Sequence, residues 1–530
     1  MGLSLPFLHN KNNLGSTFAA LNSHFEENSC AVFSSIIATI GAPVMLTAEE
    51  VRKHDSRRSC WVVISGEVYD VTEFLNQHPG GPASILRCAG RDATEEYEPV
   101  HPPGTIETHL DKEKHLGPID VTTIDAQKAA DVVAQTSRDS EELAPLSTLQ
   151  NLDDFESEAR KVVSKKAWVY FSSSADSTTA HARNRLDWTR VNLRPRILRN
   201  VGKPVSMRRR IMGHDSSLPF FIAPAAQARL GHPDGELCLA RGAARYNIPY
   251  CSSTYSSIAH KDLAKCLAEE RKGGALLWQL YVPIATENAK SLIAEAKKLG
   301  FKALVITVDS AVIGRREEDD RYKAELDHAA GIELARSANP AGAAPILRGA
   351  HSSTLNWDDL TWIRQAWNDT GPVILKGIQT AEDALLAAEA GVDGIYLSNH
   401  GGRQLDYAPS SLQTLLEIRK FYPHLLETLE IYLDGGVTRG TDILKAICLG
   451  ATAVALGRPF MYALTGYGTA GVCKAIEILS DQMETSMRLM GVTELSQLTE
   501  FYVNTAILEQ ELPRRIDQRD GNAGKVSSKL

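Results

Sequence analysis

Apolar and polar positions along this chain follow two rhythms. From 220 onward, short β-rich runs recur: FFIAP (220–224), IPYCS (248–252), LLWQLYV (276–282), ALVITVD (303–309), PVILKG (372–377), GIYLSN (394–399), EIYLDGG (430–436) and AVALGRP (453–459). Between most of them lie segments with helical spacing, such as TAEDALLAAEAG (380–391) and TDILKAICLG (441–450). Buried strands alternating with amphipathic helices predict a parallel sheet. Eight regular units predict closure into an α/β (β/α)8 barrel of the TIM type rather than a doubly wound sheet. The rhythm breaks between Arg316 and Asp359, where a charged stretch gives way to an Ala/Gly/Pro-rich one. An insertion of that length (317–358) is a lid, a partner contact or an irregular loop, and the residues do not choose among them.

Further upstream, SCWVVISGEVYDVTEFLNQHPGG (59–81) alternates with period two and then turns. It predicts a small α+β unit over 43–120. Residues 121–147 are small, polar and acidic, the composition of a helical or flexible linker. The expected organisation is multidomain: a leader (1–42), the α+β domain (43–120), the linker (121–147), the barrel domain (148–510) and a polar tail (511–530).

Bulk composition narrows the function. A chain of 530 residues exceeds one ordinary core, and a formal net charge of −8 excludes a general nucleic-acid binder. No apolar run reaches the length of a membrane span; AVFSSIIATI (31–40) is too short. The eight cysteines form no CxxC pair, so neither a zinc site nor a disulfide scaffold is expected. No arginine precedes Arg52, which counts against a mitochondrial presequence, and Pro6 counts against myristoylation. Ser528-Lys529-Leu530 matches a peroxisomal address, with the mitochondrial intermembrane space or the cytoplasm as alternatives.

Candidate chemistry collects in two places. His78 and His101 sit in loops flanked by proline and glycine, and two imidazoles from separate loops can clamp a haem iron from both faces. Such a site has no open position and passes electrons. In the barrel, polar residues crowd the strand ends, where barrel chemistry is located. These are Ser252 to Tyr255, Gln279, Tyr281, Thr307, Asp309, Lys376, His400, Arg403 and Asp434. Gly435, Gly436, Gly457 and Arg458 follow the last two strands, where phosphate commonly binds. A formal G-x-G-x-x-G at 466–471 follows no clean strand and is expected to be a loop, not a nicotinamide site.

The upstream unit resembles the cytochrome b5 family through CWV, VYDVT, HPGG and AGRDAT, which implies haem b with His78 and His101 as axial ligands. PRIL, IAPAAQARLGHPDGE, WQLYV, TVDSAVIGRRE, ILKGI, SNHGGRQLD, LDGGVTRGTDILKAICLGA and GRPF resemble the FMN-dependent α-hydroxy acid oxidase/dehydrogenase family over roughly 150–510. That family includes glycolate oxidase and the barrel of flavocytochrome b2, whose layout places a b5-like module first. The resemblance implies oxidation of a small L-2-hydroxy acid, lactate-like, to its 2-oxo acid. It makes His400 the base, Asp309 its orienting partner and Arg403 the carboxylate clamp. Tyr281, Tyr170 and Arg316 support the substrate, and Thr254 faces its side chain. Lys376 neutralises the reduced flavin, Ser252, Gln279 and Thr307 hydrogen-bond its ring, and Ala225 and Ala226 pass beneath it. Asp434, Gly435, Gly436, Arg439, Gly457 and Arg458 complete the cofactor set.

Three departures stand out. Ser174 replaces a family glycine, Thr438 an arginine, and Thr254 a large Trp or Leu, with Tyr255 beside it able to fill the space. The expected acceptor is a one-electron carrier protein such as a cytochrome. Alternatives are an oxidase that uses oxygen, or a non-catalytic b5-type redox module. The family's tetramers imply a homo-oligomer.

Overall fold

The computed structural model describes residues 45–124 and 142–514, apart from 79, 99, 102, 103, 271, 272 and 330–351. The expected leader, most of the linker, the centre of the 317–358 insertion and the Ser528-Lys529-Leu530 tripeptide lie outside the described residues.

In the N-terminal module, Ser59–Ile64 pairs antiparallel with Glu67–Asp70 and is flanked by Asp55–Ser56 and Arg91–Asp92. Alternation along Ser59–Ile64 splits the interior in two. Cys60, Val62 and Ile64 join Val71, Leu75 and Cys88 on one face of the sheet. Val63 joins Val51, Val68 and Ile119 on the other. The histidine loops lie near the first group.

The second rhythm closes as expected. All eight predicted strands form: β1 (Phe220–Ile222), β2 (Pro249–Ser252), β3 (Ala275–Leu280), β4 (Leu304–Thr307), β5 (Val373–Ile378), β6 (Gly394–Leu397), β7 (Glu430–Leu433) and β8 (Ala453–Leu456). Each pairs parallel with the next, and β8 pairs with β1 to complete the barrel. Strand periodicity sorts the side chains. Phe221, Cys251, Leu277, Val305, Ile374, Tyr396, Tyr432 and Ala455 fill the interior. Their neighbours, such as Ile222, Tyr250, Trp278 and Leu304, pack outward against the helices. A hairpin, Arg209–Ile211 with His214–Ser216, plugs the bottom, and Met212 N–H donates to the Tyr432 hydroxyl at 2.9 Å.

The glycine-rich 466–471 segment is not a loop. It belongs to the helix Arg458–Met490, broken only at Gly468 (φ 56°, ψ −140°). A side chain at Gly468 would meet the His232 ring at 2.8 Å, so glycine here serves a kink and a close approach, not a phosphate. The start of the insertion is also regular, as the helix Glu317–Ala329.

Phe221 is fully buried, with Tyr396 and Tyr432 each edge-on at 5.7 Å. Phe221→Ala is expected to cost about 3–5 kcal/mol, read as a lowered denaturant midpoint.

Candidate active site

The register that builds the core also builds the site. Two residues beyond each interior side chain, the next inward position falls at the barrel mouth. Leu277 leads to Gln279, Val305 to Thr307, Ile374 to Lys376, Tyr396 to Ser398 and Tyr432 to Asp434. These inward positions are polar, buried and satisfied by one another. Gln279 donates to Thr307 Oγ1 at 2.9 Å, Lys376 Nζ to Ser398 Oγ at 3.2 Å, and Ser398 to Asp434 at 2.7 Å. Tyr396 donates to the second Asp434 oxygen at 2.9 Å.

Asp309 continues the β4 register one step further, and its side chain is completely buried. Its Oδ1 lies 2.9 Å from His400 Nδ1, and its Oδ2 lies 3.9 Å from Lys376 Nζ. Burial alone would raise the Asp309 pKa; His400 and Lys376 outweigh it and hold the group at about 2. Because Nδ1 faces a carboxylate, the His400 proton resides there and Nε2 is left as the basic nitrogen. Tyr281 OH stands 3.2 Å from that Nε2. Burial lowers the His400 pKa, and Asp309 only partly restores it, so the ring is neutral and ready to accept a proton near pH 7.

The loop that carries His400 is built for close approach. His400 itself has φ 59°, and its N–H donates to Ser398 Oγ at 3.0 Å. Gly402 has φ 77°, and a side chain there would strike the His181 backbone nitrogen at 2.6 Å. Asn399 Oδ1 accepts from Gly402 N–H at 3.0 Å and from Asn184 at 2.8 Å. The His-Gly-Gly-Arg sequence thus lets a tight turn present a base and a cation against the preceding helix.

Three guanidinium groups converge here. Arg403 Nη1 donates to the carbonyls of Tyr170 at 2.8 Å and Ser173 at 3.0 Å, at the C-terminal end of the helix Lys165–Ser172. Those are the carbonyls a helix leaves unpaired. Arg458 holds Phe171 O, Gly401 O and Ser173 O, each near 3 Å. Ser174, the residue that departs from the family pattern, accepts from Arg458 at 3.1 Å and so reinforces the loop. Arg316 has a buried Nε with no partner among the described residues. Burial, then the charges of Arg316 and Arg458, depress the Arg403 pKa to about 9. His181 is lowered to about 4 by burial and by Arg458, Arg185 and Arg403. Such a field calls for an anion.

These groups line one cavity of about 640 Å³ that also includes Ala225, Ala226, Ser253, Tyr255, Gly435, Gly436 and Gly457. At one end, the helix Arg458–Met490 begins at Gly457, which places a helix N-terminus beside the glycines. The residues fit FMN: a helix end and Arg185 at the phosphate side, Lys376 deep in the mouth, alanine backbone along one wall.

Several expectations need correction. Ser252 alternates with the inward Cys251 and turns to the outer face; Ser253 takes the inward place and donates to Gln279 at 3.2 Å. Gln279 and Thr307 are buried beneath the lining, bonded to each other. Thr254 does not line the cavity, because its hydroxyl donates to Gln279 O at 2.6 Å and accepts from Tyr281 N–H at 3.0 Å. Tyr255 lines it instead, stacked on Tyr281 at 5.5 Å. Arg439 is drawn away to Asp153 at 2.8 Å, while Arg185, which shares Asp153 at 2.7 Å, reaches the lining. Ser398 and Ser253 follow from the inward register. Arg185, His181 and Asn184 carry no local signal, since they enter from the helix Thr179–Thr189.

In the N-terminal module, the His78 and His101 rings lie 5.9 Å apart, centroid to centroid. His78 Nδ1 donates to Gly81 O at 3.3 Å and His101 Nδ1 to Tyr97 O at 3.1 Å. Both Nε2 atoms are therefore free to ligate. Nitrogens bound at roughly 2 Å on either side of one metal require about this ring spacing. Burial keeps both rings below the ordinary imidazole pKa, in the neutral form that ligation needs.

A flavin-binding barrel with a histidine base and an arginine clamp, preceded by a bis-histidine haem module, defines a class of oxidoreductase. Comparison with known proteins narrows it. Residues 159–505 match the FMN-dependent dehydrogenase family, and 47–120 match the cytochrome b5-like heme/steroid binding domain. L-lactate dehydrogenase (cytochrome) from Wickerhamomyces anomalus is 40% identical over 466 residues, 87% of this chain and 80% of that protein. Its Saccharomyces cerevisiae counterpart is 37% identical over 470 residues, 86% of this chain and 78% of that one. Glycolate oxidase 5 from Oryza sativa subsp. japonica is 35% identical over 67% of this chain and 96% of its own. Among solved structures, the flavin-binding domain of baker's yeast flavocytochrome b2 matches with TM-score 0.63 and 34% identity, covering 78% of this chain and 99% of that one. The chain belongs to the FMN-dependent dehydrogenase family, as a hydroxy acid dehydrogenase that carries both FMN and haem.

Two outcomes follow from this geometry. The flavin-reduction rate is expected to fall toward acid only below the ordinary imidazole range, because the lowered His400 pKa keeps its base form present down to that point. Asp309→Asn, which removes the charge that raises His400, is expected to move that acid limb lower and cut the plateau by about a hundredfold. Stopped-flow across pH measures both. His101→Ala is expected to abolish the haem absorption band and leave FMN bound, as absorbance spectra of the purified protein would show.

Proposed function

We propose that the chain oxidises L-lactate, or a close 2-hydroxy acid, to the 2-oxo acid, and that electrons leave through its own haem to a cytochrome-type protein. The observation that carries this reading is the pairing of His400 Nε2 with Tyr281 OH in the same cavity as Arg403 and Arg316, with Asp309 behind the ring.

The roles follow from chemistry. Arg403 has Nη1 committed to backbone, which fixes the orientation of its guanidinium toward a carboxylate. Arg316 supplies a second donor, its Nε without a partner among the described residues. Tyr281 hydrogen-bonds the α-hydroxyl and His400 takes a substrate proton at Nε2, after which Asp309 stabilises the imidazolium. Lys376, oriented by Ser398, which Asp434 holds in turn, places positive charge deep in the mouth, where negative charge accumulates during reduction. FMN supplies the two-electron acceptor and haem b a one-electron relay. Tyr255, stacked on Tyr281, bounds the substrate side chain and supports a small acid.

The glycolate oxidase relatives favour a second reading in which oxygen takes the electrons. Under the same proposal the enzyme is a homo-oligomer, tetrameric by analogy, which the exposed Ile197, Leu198 and Phe501 support. Ser528-Lys529-Leu530 supports a peroxisomal address, which deletion of the tripeptide from a fluorescent fusion would test.

Anaerobic mixing with lactate, glycolate, mandelate and longer 2-hydroxy acids is expected to bleach the flavin and then fill the haem, fastest with lactate. In His400→Gln, FMN is expected to remain bound while bleaching slows by roughly a thousandfold or more. Bleaching at the parent rate would remove His400 as base. Reoxidation of the reduced flavin by air faster than haem filling would replace the cytochrome reading with the oxidase one.

A further inference from the structure

Two ion pairs span the contact between the N-terminal module and the barrel domain. Arg87, at the C-terminal end of the short helix Pro82–Leu86, donates to Asp327 Oδ1 at 2.5 Å. Both side chains are shielded, at 18% and 8% exposure. A second contact has the opposite polarity. Arg229 of the barrel domain lies 3.7 Å from the Glu98 carboxylate and 3.5 Å from the Glu98 carbonyl.

Each partner leads to a functional site. Glu98 lies three residues before the haem ligand His101, and Arg229 lies two residues after the cavity-lining Gln227. Asp327 belongs to the helix Glu317–Ala329, which starts directly after Arg316 of the substrate cavity. That helix is moored to the helix carrying Tyr170: Lys165 Nζ pairs with Glu325 at 2.7 Å and lies 5.3 Å over the Tyr322 ring.

Crossed polarity makes the arrangement directional. A module turned about this contact would bring Arg87 toward Arg229 and Glu98 toward Asp327, like charge against like. Exposed ion pairs contribute little, but a shielded one leaves an uncompensated charge when either partner is lost.

We propose that Arg87–Asp327 and Arg229–Glu98 are positioning pairs that seat the haem-ligand loops over the barrel mouth. Passage of electrons between the flavin and haem sites then depends on them, and oxidation of the acid does not. The proposal rests on the flavin-to-haem reading above.

The test uses full-length holoenzyme, with flavin bleaching and haem filling followed separately after anaerobic mixing with L-lactate. Arg87→Glu and Asp327→Arg are each expected to slow haem filling by about tenfold or more and leave bleaching within about twofold. The double variant, which restores opposite charges, is expected to recover most of the lost rate. Amide hydrogen exchange provides a readout apart from turnover. Exchange at 82–88 and 317–329 is expected to rise in each single variant and in the parent at high salt, and to fall back in the double. Unchanged haem filling in both single variants overturns the proposal. So does slow filling that the double variant fails to rescue, because a merely structural role has that signature. If lactate does not bleach the flavin, the functional reading fails separately; photoreduction of the flavin with EDTA as sacrificial electron donor then delivers electrons without substrate, and the same comparison of variants decides the proposal.

Discussion

A buried carboxylate has to be kept charged, and the mouth of this barrel is organised around doing so. The Asp309 side chain has no exposure to solvent, yet the hydrogen on His400 Nδ1 and the ammonium of Lys376 hold it ionised. Removing such a charge from water is costly unless partners surround it. The charged partners are supplied by adjacent strands, Lys376 from β5 and His400 after β6, and Ser398 and Asp434 hold Lys376 in turn. Charges alternate around the rim, so each group is compensated by its neighbours and the set holds one geometry.

That compensation sets the protonation states the chemistry needs. His400 is pushed toward neutrality by burial, while Asp309 fixes which nitrogen carries its proton. The same low-dielectric mouth concentrates Arg316, Arg403 and Arg458, whose mutual repulsion is relieved by an anionic substrate and by a phosphate-bearing cofactor. Binding and catalysis therefore draw on one electrostatic arrangement. Arg403 of the clamp and Arg458 of the cofactor set are both tied to the carbonyl end of the helix Lys165–Ser172, so the helix that presents Tyr170 is oriented by the groups that hold the two anions.

The N-terminal module is held by the same currency of charge, but at its surface. Arg87 and Glu98 meet barrel residues of opposite sign near the two functional sites. Two ion pairs of crossed polarity favour one orientation of the module and remain sensitive to ionic strength.

Much of this architecture was readable from residue order. Short β-rich runs recurring between amphipathic segments marked all eight barrel strands, because strands buried on both faces read as apolar runs. His400, Arg403 and Asp309 were identifiable because a base, a cation and a carboxylate at strand ends have no other inexpensive place to be. Strand alternation, applied strictly, would have chosen Ser253 over Ser252 and added Ser398. Tertiary packing alone decided the rest. Arg439 and Arg185 share Asp153, and only the placement of the helix Thr179–Thr189 brings Arg185 to the cavity. Thr254 is satisfied by the β3 backbone, which leaves Tyr255 on the wall, an outcome that depends on a neighbouring strand. Sequence determines which side chains share a strand face, since that follows from local geometry. Which charges meet across strands, helices and modules depends on distances that exist only after the chain has closed.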